Sequence, residues 1–420
     1  MAEQADLIHR PSPYHGWVVT FAGTGINLAL GILYTWSVFK TAIAKDFGWN
    51  AERLNDPYAL CCLVFAFAMI LAGRCQDKLG PRITAFIGGL LVGIGLLWIS
   101  TTKDYLAWVI GFGVLVGAGI GFGYSSATPP ALKWFPPSKT GLIAGLVVAG
   151  FGLASVYIAP LSGYLLAHYS IMGAMRVYGI AFIIVVCGLS LLLVNPPAGY
   201  VAAGAASKKT AATAVAFTPA QMLRTRTFYL LWAMYFIGAG AGLMVISSVS
   251  GMAKSSLGEA AFVAVAVLAI GNAAGRIVAG VLSDRIGRRW TLMIVLLCQA
   301  VLMFVAIPVT GSKTTPAVVI VLVATLIGFN YGANLSLFPS ITKDLWGLKS
   351  FGMNYGFMFT AWGVGGFVLS RVQQMLQARS GNYMSSFMVA ALLLLVGTML
   401  TFALRPAQPK VAHQVAPASA

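Results

Sequence analysis

Apolar residues gather in twelve long runs separated by short polar breaks, at roughly 16–39, 57–76, 83–102, 105–126, 140–166, 174–194, 227–250, 260–282, 290–310, 316–338, 352–371 and 384–404. An α-helix needs about 20 apolar residues to cross the hydrocarbon core of a bilayer, and every run reaches that length. Barrel strands would show weak ten-residue alternation instead. The pattern predicts an all-α membrane protein of twelve transmembrane helices. Between the sixth and seventh runs lies "NPPAGYVAAGAASKKTAATAVAFTP" (195–219), rich in Ala, Gly and Pro. It reads as a linker. The expected organisation is a tail over 1–15, a six-helix bundle over 16–194, a linker over 195–226, a second six-helix bundle over 227–404 and a tail over 405–420.

Composition agrees with the pattern. Of 420 residues, 59% are hydrophobic and 9% charged, against about 25% charged in a soluble domain. The 47 glycines suit helices that approach closely. The N-terminal stretch "MAEQADLIHRPSPYHG" is polar and has no signal-peptide h-region. Cys61, Cys62, Cys75, Cys187 and Cys298 have no metal or disulfide spacing and read as packing residues.

The net charge of +17 raises the question of a nucleic-acid partner. Its distribution answers it. With twelve spans and both ends on one side, that side carries 17 of the 27 Lys and Arg residues, the other side 9, and Arg276 lies between. The rich side is cytoplasmic by the positive-inside rule. The charge is topogenic, and no nucleic acid is needed to account for it.

A repeat is visible across the halves. "GRCQDKLGPR" (73–82) and "GVLSDRIGRR" (280–289) share G-x-x-x-D-x-x-G-x-R at a shift of 207 residues. Gly73, Asp77, Gly80 and Arg82 match Gly280, Asp284, Gly287 and Arg289. Each copy follows the second span of its half, in a short cytoplasmic loop. Asp77 or Asp284 at a helix end can meet the N-terminal dipole of a neighbouring helix. The glycines permit a tight turn, and the arginines can pair across the loop. Such a loop is a candidate gate; the alternative is a purely topogenic loop.

Arg276 sits inside the eighth run, eight residues before Asp284. At 1.5 Å per residue it lies about 12 Å from the loop, near the bilayer midplane. A guanidinium keeps its charge on burial. No Asp or Glu lies inside a span away from its ends; Glu259 borders span 8, about 25 Å away along the axis. A buried cation without a protein partner fits an external carboxylate, which matches its fork. The alternatives are an arginine packed on backbone carbonyls or one that snorkels to the surface. Asn272 lies one turn earlier on the same face. Asn27 and Tyr34 share a face of span 1, Tyr34 off the midplane. Asn330 and Asn334 flank Tyr331 and face a cavity or another helix.

The doubled loop resembles the signature of the major facilitator superfamily of secondary transporters, over essentially the whole chain. "YHGWVV" (14–19), "KWFPPSKTGLIAGLVVAGFG" (133–152), "NAAGRIVAGVLSDRIGR" (272–288) and "NLSLFPSITKDLWGLKSFGMNYG" (334–356) resemble the oxalate/formate antiporter family, akin to monocarboxylate transporters. The resemblance implies two pseudo-symmetric six-helix bundles around a central site. It implies that Arg276 holds the substrate carboxylate, and that Tyr124, Phe151, Tyr331, Phe359 and Trp362 line an aromatic cavity. Oxalate-transporting members carry a lysine where this chain has Trp362, so one buried cation implies a small monocarboxylate such as lactate, pyruvate or formate. Related carriers can place an aspartate, used in proton coupling, where this chain has Asn272.

Moving a monoanion inward against 100 mV costs about 2.3 kcal/mol. Uptake is therefore expected to be proton-coupled, with anion exchange of the oxalate/formate type as the alternative. The proton can travel on the substrate acid or titrate a rim group such as Glu259. No nucleophile, metal cluster or acid–base pair in the membrane points to an enzyme, and no cofactor is expected. A non-transporting membrane sensor stays open. The expected partners are the substrate, protons or a counter-anion, and lipid. The expected location is a bacterial plasma (inner) membrane with both termini cytoplasmic.

Overall fold

The computed structural model describes residues 14–197, 199–200, 202, 216–246, 261–311 and 315–404. The expected tails, most of the linker and Glu259 lie outside the described residues.

Twelve long helices appear among the described residues: α1 (Tyr14–Phe47), α2 (Ala51–Leu79), α3 (Pro81–Ile99), α4 (Tyr105–Trp134), α5 (Thr140–His168), α6 (Ile171–Ser190), α7 (Arg226–Ile246), α8 (Ala261–Ile286), α9 (Arg288–Gly311), α10 (Ala317–Trp346), α11 (Phe351–Ser380) and α12 (Met384–Ala403). Helices suit lipid because each satisfies its own backbone groups. Eleven are long and apolar enough to cross a membrane. The exception is α11, where glycines together with Asn354 and Arg371 lower the mean hydropathy. It is nonetheless enclosed, packing on α2, α7 and α10.

Several helices outrun their apolar runs. α1 continues past Lys40 and Lys45 to Phe47, α4 passes through Pro129 and Pro130 to Trp134, and α11 passes Arg371 to Ser380. The α4 end is buried among helices despite its prolines and polar residues, whereas the α1 and α11 ends carry exposed charged or polar residues. Among the described linker residues, Pro219–Leu223 form a capped turn, with Thr218 and Gln221 making a capping box. Its start is pinned between bundle helices: Phe217 N–H donates to Trp346 O, and Asn354 Nδ2 donates to Phe217 O.

The halves meet along two crossings, α5 with α8 and α2 with α11. Both are seams of glycine. A Cβ on Gly141 would lie 2.1 Å from Gly280 O, and one on Gly145 would lie 2.5 Å from Arg276 O. In the other seam, a Cβ on Gly73 would lie 2.2 Å from Gly352 O, and one on Gly356 would lie 2.5 Å from Met69 O. No other residue permits such backbone approach. α3, α6, α9 and α12 lie outside and expose Phe86, Ile94, Ile184, Val301, Phe304 and Met399, as lipid-facing helices should.

The two loop motifs behave alike at one end of the molecule, called here the motif end. Asp77 accepts from the N–H groups of Gly352 and Met353, both at 3.0 Å, at the N-terminus of α11. Asp284 accepts from Gly141 N–H at 2.9 Å and Leu142 N–H at 3.0 Å, at the N-terminus of α5. Each carboxylate thus ties its own half to the other half's helix dipole. Gly80 (φ 87°) and Gly287 (φ 91°) make the turns. Gly73 and Gly280 do not; they are the close-approach residues of the seams. The arginines also differ from expectation. Arg289 donates to the carbonyls of Thr401 and Phe402 at the end of α12, and Arg82 is exposed. The ion pair is made by the neighbouring Arg288, with Asp284 at 2.6 Å and Asp344 at 2.8 Å.

Candidate functional site

Arg276 is fully buried on α8, ten residues before the helix ends at Ile286. That is about 15 Å along the axis, half the thickness of a hydrocarbon core. Small residues opposite make room for it: a Cβ on Gly152 of α5 would lie 3.2 Å from its Nε. Nε donates to Asn272 Oδ1 at 3.0 Å, one turn back, and Nη1 donates to Val148 O on α5. Nη2 has no hydrogen-bond partner. Both partners are neutral, and among the described residues Arg276 forms no ion pair. A buried guanidinium with an unused N–H₂ and an unneutralised charge is arranged to receive an anion.

The side chains around it, Tyr34, Phe65, Tyr124, Phe151, Leu335, Phe359 and Trp362, close with Arg276 around a gap too narrow to hold a water molecule. They come from both halves. The rings form a continuous network: Tyr34–Phe151 and Phe359–Trp362 have centroids 5.0 Å apart, and Tyr124–Phe151 5.5 Å. Each such pair contributes about 0.5–1.5 kcal/mol beyond area burial, so the cage holds its shape. Tyr34 Oη lies 2.6 Å from Tyr331 Oη, and Trp362 Nε1 donates to Tyr331 Oη at 2.9 Å. This chain of contacts joins α1 to α10 and α11 across the gap. Tyr124 Oη is buried, with the Tyr355 hydroxyl as its polar neighbour.

Of the residues singled out by sequence, Arg276, Tyr34, Tyr124, Phe151, Phe359 and Trp362 line the gap, while Asn272 and Tyr331 hold lining residues in place. Asn27 is not among the lining residues. Its Nδ2 donates to Val147 O at 2.9 Å, fastening α1 to α5. Asn334 faces a helix, donating to Gln299 Oε1 on α9 and to Asn330 O. Phe65 and Leu335 line the gap and carry no polar mark that the sequence could show. Phe65 is nevertheless a hub, with ring centroids 5.0 Å from Phe359, 5.2 Å from Trp362 and 5.5 Å from Tyr124. The repeat offered its one signal: the 207-residue shift that relates the loop motifs carries Asn272 onto Phe65.

At the end opposite the motifs a cleft of about 460 Å³ opens between α1, α2, α7 and α11. Two of its lining residues, Cys62 on α2 and Gly366 on α11, stand one turn from Phe65 and Trp362 of the gap. The molecule is therefore latched at the motif end and cleft at the other.

Comparison with known proteins gives the same architecture. The sequence matches the Major Facilitator Superfamily over residues 18–370 and again over 259–420. It is 28% identical to the oxalate:formate antiporter of Oxalobacter formigenes, over 79% of this chain and 77% of that protein. It is 26% identical to monocarboxylate transporter 13 of Rattus norvegicus, over 93% of this chain and 90% of that one. The crystal structure of the transporter FucP in its outward conformation superposes with a TM-score of 0.68 at 14% identity, covering 92% of this chain and 99% of FucP. With the family match spanning most of the chain, two glycine seams joining two six-helix halves and a buried cation between them, the protein belongs to the Major Facilitator Superfamily of membrane transporters.

Proposed function

We propose that the protein carries a small monocarboxylate, of the lactate, pyruvate or formate class, across a bacterial inner membrane by alternating access. Arg276 binds the carboxylate, Asn272 fixes the guanidinium plane, and the aromatic cage encloses the short apolar remainder. The carrying observation is Arg276 Nη2, buried without a partner at the seam of the two halves. One buried cation suits one carboxylate, and Trp362 supplies an apolar wall where a second cation would suit a dianion. The two relatives, named for oxalate and formate and for monocarboxylates, support that substrate class. The motif end is cytoplasmic on this reading, since the richer share of Lys and Arg lies there. The functional units are the bundles over 16–194 and 227–404.

Uptake is coupled to protons, because an inward monoanion must be driven against the membrane potential. Exchange of one anion for another is the second reading, favoured by the gap's lining, which holds no Asp, Glu or His. Counterflow in liposomes loaded with unlabelled lactate, pyruvate, formate or oxalate tests both. Accumulation of labelled monocarboxylate, enhanced by an inward proton gradient, is the expected result. Accumulation only with a trapped counter-anion, whatever the pH gradient, would move the protein to the exchangers. Preference for oxalate, or no counterflow at all, would overturn the substrate assignment.

A further inference from the structure

The cleft opposite the motif end has a charge of its own. Lys40 on α1 and Arg371 on α11 stand in its walls, one from each half, and no Asp or Glu lines it. Lys40 Nζ donates to Asn55 Oδ1 at 2.8 Å, and Arg371 Nη1 to Gln374 Oε1 at 3.4 Å. Both partners are neutral amides. Among the described residues neither cation forms an ion pair. Two positive charges without an acidic partner among the described residues thus line one concave space walled mostly by hydroxyl, amide and aromatic side chains, and the concavity focuses their field on the entrance. The path below them is direct. Lys40 is six residues beyond Tyr34, and Arg371 nine beyond Trp362, or about 9 and 13–14 Å along their helices from gap-lining side chains.

We propose that Lys40 and Arg371 form an outer capture site for small carboxylate anions, which gathers the substrate before Arg276 binds it. This rests on the monocarboxylate reading for what passes through, though the positive cleft itself does not depend on it. The two cations are separated from Arg276 by the cage and the Tyr34–Tyr331–Trp362 contacts, so they act on encounter. They raise the local anion concentration and leave the bound state at Arg276 to the inner residues.

The test has two arms. In the full-length protein with its five cysteines replaced, Ser370→Cys places a thiol in the cleft wall. Its reaction with a sulfonate-bearing methanethiosulfonate is compared with that of a trimethylammonium one. Lys40→Gln with Arg371→Gln should lower the anion-to-cation rate ratio about tenfold, and about 0.5 M salt should do the same in the parent. Glutamine at 40 retains a hydrogen bond to Asn55, which favours a folded variant. Arg276→Gln should leave the ratio unchanged. In the second arm, initial uptake of labelled monocarboxylate by the double variant should show KM raised about threefold to tenfold, Vmax unchanged and a flattened salt dependence. An unchanged thiosulfonate ratio, or an unchanged KM and salt dependence, would overturn the capture site. Absence of monocarboxylate uptake in the parent, with the ratio still sensitive to Lys40 and Arg371, would instead overturn the substrate reading and leave an anion-capturing cleft.

Discussion

The α5/α8 crossing and the α2/α11 crossing are built on matched residues. Gly141, Gly145 and Gly152 of α5 correspond to Gly352, Gly356 and Gly363 of α11 at a constant shift of 211. The contacts correspond as well: Gly145 meets Arg276 O where Gly356 meets Met69 O, and Gly152 meets Ala273 where Gly363 meets Ala66. Met69 and Arg276 are related by the 207-residue shift of the loop motifs. One crossing therefore presents a thioether at the position where the other presents a buried cation. At the motif end the difference recurs. Asp284 has Arg288 and Asp344 beside it, whereas the shift carries those two onto Pro81 and Pro137, and Asp77 forms no ion pair among the described residues. The shared glycines make the joint, while the differences divide the work. On the proposed function the α5/α8 joint would bind and lock, and the α2/α11 joint would supply an aromatic wall and a lighter latch.

The largest expected effect comes from removing that distinction. Arg276→Gln should lower kcat/KM for a monocarboxylate by about 100-fold or more, since charge-assisted hydrogen bonds to buried groups contribute about 1.5–3 kcal/mol. Arg276→Lys should lose about tenfold, because an ammonium lacks the planar fork. Met69→Leu, at the matched position, should stay within about twofold, as a volume-conserving exchange. Ligand-induced thermal stabilisation of purified protein checks all three apart from turnover. Full stabilisation by lactate in Arg276→Gln would make Arg276 a packing residue and the two crossings functionally equal.

The glycines give the next test. A Cβ at Gly145 or at Gly356 would lie equally close, 2.5 Å, to a backbone oxygen of the facing helix. Overpacking of that kind costs about 1–3 kcal/mol. Gly145→Ala and Gly356→Ala should each slow turnover about tenfold by opposing closure at the motif end. Only Gly145→Ala should also weaken binding, since the atom it displaces is the carbonyl of Arg276 itself. Equal loss of affinity in both variants would show that the site depends on closure as a whole and not on the seat of Arg276.

How much of this was legible beforehand follows from what each residue had to show. Spans were readable because lipid demands long apolar runs, yet α11 escapes the criterion that finds the others, being buried among helices and permitted polar residues. Arg276 was conspicuous because charge in a membrane is costly. Its partners were half visible. Asn272 follows from helix periodicity, but Val148 contributes a main-chain carbonyl, which no side-chain pattern encodes. Asn27 was misleading because a polar residue in a span serves helix packing as readily as a site, and here it bonds Val147 O. Phe65 was silent because an apolar ring in an apolar helix carries no signal alone. The motif glycines were recognised, but a sequence does not distinguish Gly80, which turns the chain, from Gly73, which lets another helix touch it.

The two latches should differ in strength. Asp77 and Asp284 each meet a helix N-terminus, an interaction of about 0.3–2 kcal/mol that asparagine would largely forfeit. Asp284→Asn additionally removes the Arg288 pair. It should slow turnover about tenfold, and Asp77→Asn about threefold, with substrate Kd in both within about threefold of the parent because each site is roughly a half-bilayer from Arg276. A matched loss in both would show that the helix dipoles alone hold the motif end closed.

The smallest effect isolates the ion pair itself. The side chains of Arg288, Asp284 and Asp344 are 16%, 9% and 33% exposed, so this bridge is screened in part and should lie in the upper half of the ~0.2–1 kcal/mol of open surface pairs. Arg288→Gln should therefore reduce turnover about threefold and bring the Asp284 latch down to the level of the Asp77 latch. In an Asp284→Asn background the same change should cost less, because the shared partner is already gone, and a double-mutant cycle on turnover reads that coupling directly. Raising salt should shrink the difference between parent and Arg288→Gln more than that between parent and Asp77→Asn, whose carboxylate also meets main-chain N–H groups directly. Strictly additive losses would mean that Arg288 acts through Asp344 at the end of α10 instead, so that the asymmetry between the latches would lie in how α10 is held and not in how Asp284 is charged.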